Sequence, residues 1–101
     1  MKYTDLINLE NGKGATLKNY KEVDYKTGYQ VATEGKETRN SKMAIHYIKE
    51  YNGNCGIWKS EGTYYIDKSH REPTLKKALK IADLCHQQSI LKWNDKSLIW
   101  C

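Results

Sequence analysis

Two stretches of the chain repeat apolar residues at helical spacing, and they constrain the fold more than any other feature of the sequence. The first stretch has the stripe Ala44, Tyr47, Ile48 and Tyr51. The second has the stripe Leu75, Ala78, Leu79, Ala82 and Cys85. Asn40 or Ser41 is a suitable N-cap for the first helix, and Pro73 suits the first turn of the second. Because each helix has one apolar face, both must pack against a second layer.

Segments rich in alternating apolar and polar residues surround these helices and predict strands. The predicted strands are 23–33, 55–59, 63–68, 89–93 and 97–100. From residue 23 onward the order is strand, helix, strand, strand, helix, strand, followed by one extra C-terminal strand. This is the order of a ferredoxin-like βαββαβ fold. We therefore expect an α+β protein whose two helices cover one face of an antiparallel sheet.

The N-terminal residues 1–22 lack this pattern, and the turn signal at 11–14 predicts an arm or a hairpin there. We expect the whole chain, 1–101, to form a single domain with residues 23–101 as its core. The competing layout is an α+β sheet of different strand order in which the N-terminal arm supplies a strand.

Composition narrows the class of protein. The chain contains no Phe, so Ile, Leu, Tyr and Trp must build the core. A mean hydropathy of -0.85 excludes an integral membrane protein. The formal net charge of +5 permits anionic partners without requiring them, and it excludes an acidic mimic of nucleic acid. Cys55, Cys85 and Cys101 are too widely spaced for a disulfide framework, which predicts the reducing cytoplasm as the compartment.

The eight tyrosines suggest an aromatic platform for stacking on bases. In a ferredoxin-like sheet the first and third strands are central, and RNA-recognition domains carry their stacking aromatics there. The candidates for stacking on single-stranded nucleic acid are Tyr25, Tyr29 and Tyr65. The alternative is that tyrosines fill core positions in a chain without Phe, and the basic-Gly-aromatic-Gly motif of those domains is absent.

Residue types used in metal sites and in catalysis occur without the spacing that those sites need. The possible metal ligands are His46, Cys55, His70, Cys85, His86 and Cys101. They form no Cys-x-x-Cys or His-x-x-x-His pair. Asp67, Ser69 and His70 have the residue types of a catalytic triad, but on a strand the first two point the same way and His70 points elsewhere. The sequence therefore predicts no catalytic residue, no metal and no cofactor.

Two surfaces are candidates for contact with a partner. One is the basic face of the second helix with its neighbours, namely Lys68, Arg71, Lys76, Lys77 and Lys80. The other is the hairpin around residues 60–62, with Trp58, Lys59 and Tyr64, because aromatic anchors dominate protein interfaces. The alternatives are an ordinary solvated helix face and burial of Trp58 in the core.

Four segments carry a resemblance to a known group of proteins: 27–31 (TGYQV), 56–58 (GIW), 62–69 (GTYYIDKS) and 88–90 (QSI). Over roughly residues 25–93 the chain resembles small accessory proteins encoded by bacteriophages and mobile elements. The resemblance implies an inhibitor of host defence, similar to anti-CRISPR proteins, that acts by binding. The implied partner is a host protein or a ribonucleoprotein complex. A single-stranded nucleic-acid-binding module is the alternative function, and the oligomeric state stays open.

Overall fold

One antiparallel sheet and two helices make up the part of the chain that the computed structural model describes, residues 8–101. The strands are β1 Gly14–Lys18, β2 Lys21–Glu22, β3 Tyr29–Thr38, β4 Cys55–Ser60, β5 Thr63–Glu72, β6 Ser89–Lys92 and β7 Ser97–Trp100. The helices are α1 Ser41–Glu50 and α2 Leu75–Leu84. The seven strands lie in the order β2-β1-β4-β5-β3-β6-β7, and each neighbouring pair is antiparallel. The predicted α+β class is confirmed.

The predicted ferredoxin-like layout is not confirmed, because the strand order of the sheet differs. β1 and β2 extend the sheet beyond β4 at one edge, and β7 extends it beyond β6 at the other. The competing layout, in which the N-terminal arm supplies a strand, agrees with this order. Residues 11–12 do form a turn, in which the amide of Lys13 donates to the carbonyl oxygen of Glu10 at 3.1 Å, but the hairpin of the arm turns at Asn19 and Tyr20, both with positive φ. Leu6 and Ile7, which the arm prediction also used, lie outside the described residues.

Helix α1 begins and ends where the sequence predicts. The side chain of Asn40 accepts hydrogen bonds from the amides of Lys42 and Met43 at 2.8 and 3.2 Å, which satisfies free donors of the first turn. Asn52 and Gly53 follow the helix with φ of 54° and 70°. A Cβ at Gly53 would lie 2.4 Å from the backbone nitrogen of Tyr20, so this helix end also lets the β1–β2 turn approach closely.

Helix α2 is confirmed, but its buried stripe is narrower than predicted. Ala78 and Ala82 are fully buried, whereas Leu75 and Leu79 are 36% and 37% exposed. The small alanine side chains let the helix lie close to the sheet, and the longer leucine side chains are left at its margins. The cap is Thr74, whose hydroxyl accepts from the amide of Lys77 at 3.4 Å, with Pro73 just before it.

Two strands, β3 and β5, differ from the predicted ones by several residues. The alternation of residues 23–28 is typical of a strand, yet this segment is a loop, and β3 starts only at Tyr29. β3 then continues to Thr38 through an irregularity between Ala32 and Glu34. The predicted strand at 63–68 continues to Glu72, because its last residues pair with the first residues of β3. These extensions have polar side chains on both faces, so they lack the alternation of apolar and polar residues that predicts a strand.

The helices cover one face of the sheet, which we call the covered face. The larger buried cluster joins α1 to the strands through Leu17, Ala44, Ile48, Tyr51, Cys55, Ile57, Tyr64 and Ile66. The smaller cluster joins α2 to the strands through Val31, Ala78, Ala82 and Ile90. Side chains at the alternate strand positions point to the other face, which we call the open face. Strand residues on the open face include Gly14, Gln30, Ala32, Gly35, Gly56, Trp58, Tyr65, Asp67, Ser69, Arg71, Ser89, Leu91, Leu98 and Trp100.

Candidate functional site

The open face contains a groove of about 910 Å³, which is the candidate site. Its floor is formed by Gln30, Ala32, Gly56, Asp67 and Ser69 from the three central strands. Its walls are formed by Trp58 on the β4 side and by Leu91, Trp93 and Leu98 on the β6–β7 side. Apolar walls around a few polar floor groups are the usual composition of a binding site.

A loop crosses the open side of the sheet and bounds the groove. Residues 23–28, the crossing loop, connect β2 at the sheet edge to β3 in its interior, and Val23 and Asp24 line the groove. Arg71 holds this loop, since its Nε donates to the carbonyl oxygen of Thr27 at 2.9 Å and its Nη2 to the Thr27 hydroxyl at 3.0 Å. The guanidinium also lies 5.2 Å from the centre of the Tyr25 ring. The loop is thereby fixed to β5.

The first residues of the crossing loop, Asp24 and Tyr25, contact the segment around the β6–β7 turn. The ring of Tyr25 meets the ring of Trp93 edge to face, with centroids 5.4 Å apart. Asp24 forms an ion pair with Lys96, whose ammonium also lies 5.4 Å from the centre of the Trp93 ring. The pKa of Asp24 is held below its usual value, chiefly by its hydrogen bond to Lys96.

A line of hydrogen bonds crosses the floor of the groove. The indole Nε1 of Trp93 donates to Gln30 Oε1 at 3.2 Å, and Gln30 Nε2 donates to the hydroxyl oxygen of Ser69 at 3.0 Å. Ser69 is buried, and its hydroxyl bonds onward to Asp67. The amide of Gly56 donates to Asp67 Oδ1 at 3.2 Å. Each member fixes the next, so the floor presents its polar groups in defined positions.

Asp67 is the charged group of this floor. Burial raises the pKa of its carboxyl, while the hydrogen bonds from Gly56 and Ser69 act in the opposite direction. Asp67 pairs in the sheet with Gly35 on one side and Gly56 on the other, so no neighbouring side chain covers it along this row. A Cβ at Gly56 would lie 2.7 Å from Asp67 Oδ1, which shows that glycine is needed there to leave room for the carboxylate. Within residues 8–101 no ion pair includes Asp67.

The predicted partner contacts are divided between the two sides of the sheet. Trp58 is on the open face, 48% exposed, with its ring over Gly14 of β1. Tyr64 is buried in the core, with the ammonium of Lys59 5.0 Å from its ring centre, so it offers little surface to a partner. Lys68 is exposed on the covered side, and Arg71 is engaged with the crossing loop. The helix lysines Lys76, Lys77 and Lys80 are exposed on α2.

The three predicted stacking tyrosines do not form one platform. Tyr29 packs against the smaller cluster on the covered face. Tyr25 lies in the crossing loop, between Arg71 and Trp93. Tyr65 is 41% exposed on the open face, where it pairs with Trp58 across β4 and β5. The three tyrosines therefore do not share one sheet surface, because residues 23–28 are a loop and Tyr29 has the opposite orientation to Tyr65.

The residues considered for catalysis and for metal binding are also separated. Asp67 and Ser69 meet on the floor of the groove, whereas His70 points to the covered side and bonds to Glu72 at 2.8 Å. The Cys55 thiol is buried, and burial raises its pKa to about 12. Among the described residues the cysteines are free, and no three His, Cys, Asp or Glu side chains lie close enough together to hold a metal ion.

Several residues of the groove were not singled out by sequence reasoning. They include Asp24, Gln30, Trp93, Lys96 and Leu98. Gln30 could have been found from the sequence, because it is a polar residue next to the apolar Val31 in a predicted strand and therefore points to the opposite face. Nothing in the local sequence marks Asp24 and Trp93, because the path of the crossing loop depends on where β2 and β3 lie in the sheet.

Comparison of the chain with family models, curated proteins and solved structures yields no match to any of them. In the described part of the chain no helix has the length and apolar character needed to cross a membrane.

Proposed function

We propose that the protein acts by binding another protein through the open face of its sheet. The observation that carries the proposal is the set of large apolar side chains exposed there. Trp58, Tyr65, Leu98 and Trp100 are between 41% and 69% exposed. Trp58 and Tyr65 are neighbours across two strands, and Leu98 lines the other wall of the same groove. Exposed aromatic anchors beside a concave apolar surface are typical of protein interfaces.

The distribution of charge favours a protein over single-stranded nucleic acid as the partner. A nucleic-acid groove combines aromatic platforms with basic side chains that follow the backbone. Here the exposed Tyr65 is on the open face, while Lys76, Lys77 and Lys80 are on α2, which packs on the covered face. The open groove itself is lined by carboxylates from Glu22, Asp24 and Asp67 and by one ammonium, that of Lys96.

The resemblance to phage and mobile-element accessory proteins supports a more specific version of this proposal. The protein would inhibit a host defence complex in the bacterial cytoplasm, by contact and without a reaction or cofactor, in the manner of anti-CRISPR proteins. The partner would be a host protein or a ribonucleoprotein complex. We also propose that strands β4-β5-β3-β6, with the units β3-α1-β4 and β5-α2-β6 interleaved, are the ferredoxin-like part of the sheet.

The proposal is tested by capture from a bacterial host lysate, with and without nuclease. Three forms of the protein are compared: the unaltered chain, Trp58→Ala, and the triple variant Lys76→Ala, Lys77→Ala, Lys80→Ala. We expect a partner that the unaltered chain and the triple variant retain after nuclease treatment and that Trp58→Ala loses. Loss of every partner on nuclease treatment, together with failure of the triple variant, would favour the nucleic-acid module instead.

A further inference from the structure

We propose that Asp67 binds a lysine or arginine side chain of the partner protein, whose stem lies along the wall formed by Trp58. This inference rests on the proposed function and adds to it the chemistry of the group that enters the groove. The observations behind it are the position of the carboxylate, the charge of the lining and the shape of the walls.

The carboxylate is placed to receive a ligand. Gly56 and Gly35 flank it in neighbouring strands, so the floor is open around the carboxyl oxygens. Its bonds from the Gly56 amide and the Ser69 hydroxyl come from neutral donors, and no described Lys, Arg or His pairs with it. A charged donor interacts more strongly with a half-buried carboxylate that has no cation beside it than with a carboxylate in solvent, because water screens the half-buried group less.

The charge of the groove is complementary to a cation. Three carboxylates and one ammonium line the groove, in a chain whose formal net charge is +5. The ammonium of Lys96 is already paired with Asp24, which also forms an ion pair with Lys26 at 3.5 Å, so the remaining negative charge of the lining comes from Glu22 and Asp67. The groove is therefore locally acidic on a basic protein, and it attracts a cationic group and repels a phosphate or carboxylate.

The walls fit the rest of a long basic side chain. Lys and Arg carry an apolar stem below the charged group, and the stem packs readily on aromatic surface. Trp58 offers a half-exposed ring that is held over Gly14, and Leu91 and Leu98 form the opposite wall. A basic side chain entering between these walls would bury its stem while its head reaches the floor.

The alternative role for Asp67 is structural, as the acceptor for the Gly56 amide. Asp67→Asn separates the two roles, because the asparagine oxygen can still accept that bond while the charge is lost. The matched control is Asp83→Asn, which removes a carboxylate from the exposed side of α2.

The test is a titration monitored by the backbone amide resonances and the tryptophan side-chain resonances. The probes are N-acetyl-lysine methylamide and N-acetyl-norleucine methylamide, which differ by the ammonium group. For the unaltered protein and for Asp83→Asn we expect saturable shifts at Gly56 and Trp58, with the lysine probe binding about tenfold more tightly. In Asp67→Asn the lysine probe should bind no better than the norleucine probe.

Equal binding of the two probes to the unaltered protein would overturn the inference, and so would unchanged lysine binding by Asp67→Asn or the absence of any shift at Gly56. These outcomes are distinct from failure of the proposed function. That failure is capture of the same nuclease-resistant partner by Trp58→Ala, which a titration with small probes does not measure.

Discussion

The two faces of the sheet differ in what their side chains contact. On the covered face Ile57 and Ile66 are almost fully buried against Ala44 and Ile48 of α1, and Val31 and Ile90 are buried against the alanines of α2. On the open face Trp58, Tyr65 and Leu98 keep between 41% and 52% of their surface in solvent, and a carboxylate occupies the floor between them. The same strands supply both faces, since side chains alternate along each strand.

The difference shows where the sequence is constrained by stability and where it is free to serve binding. Apolar area removed from water stabilises the covered face in proportion to its extent. The open face keeps apolar area in solvent and a carboxylate whose pKa burial raises, neither of which stabilises the folded chain. Features that do not stabilise the fold, concentrated around one groove, are the pattern expected of a binding surface.

The largest effect expected on stability comes from the covered face. Ile48→Ala should lower the free energy of unfolding by about 2–5 kcal/mol, because it removes methyl groups from a packed cluster and leaves a cavity. Trp58→Ala should cost about 2 kcal/mol, at or below the lower end of that range, since about half of its surface is already in solvent. Urea unfolding at neutral pH measures both. Equal costs for the two variants would remove the distinction between the faces.

A change of opposite sign is expected at the floor of the groove. Burial raises the pKa of Asp67 in the folded protein above its ordinary value of 3.8. The contribution of this carboxyl to stability is therefore fully present when the pH is below 3.8, and it is lost as the pH rises through the raised pKa. Asp67→Asn should therefore be more stable than the unaltered protein at neutral pH. Urea unfolding from about pH 3 to about pH 7 should show this difference opening as the pH rises. A difference that is constant with pH would contradict the assignment.

The smallest effects are expected on the outer side of α2. Leu79→Ala should cost about 1 kcal/mol, well below Ile48→Ala, because Leu79 is 37% exposed. Lys77→Ala should change stability by no more than about 0.5 kcal/mol, as is usual for a solvated helix position. Thermal melts of both variants beside Ile48→Ala provide the measurement. A Leu79→Ala cost equal to that of Ile48→Ala would show that α2 buries its leucines after all.

Local signals in the sequence predict the elements better than their arrangement. The apolar stripe of α1, its Asn40 cap and its Asn52-Gly53 end agree with the structure because each depends on neighbouring residues. The stripe of α2 is correct in position and wrong in width, since hydrophobicity alone does not show that Ala78 and Ala82 approach the sheet more closely than Leu79. β3 is misplaced because the chain between Val23 and Gly28 alternates like a strand while it crosses the sheet as a loop.

The groove depends on contacts between residues far apart in the sequence, which explains why little of it was predicted. Trp58, Asp67 and Ser69 attract attention by residue type, but their common surface follows from the pairing of β4 with β5. The bonds from Trp93 to Gln30 and from Lys96 to Asp24 join residues separated by 63 and 72 positions. Only the order of all seven strands brings these residues together.

The most direct test of a division between a stabilising face and a binding face is partner capture by Trp58→Ala, with melting temperature measured on the same sample. The account predicts that Trp58→Ala recovers at least about tenfold less of the nuclease-resistant partner than the unaltered protein does, with its fold intact. The Lys76→Ala, Lys77→Ala, Lys80→Ala variant should recover the partner normally. Full recovery by Trp58→Ala and loss by the lysine variant would contradict the account and place the contact on α2.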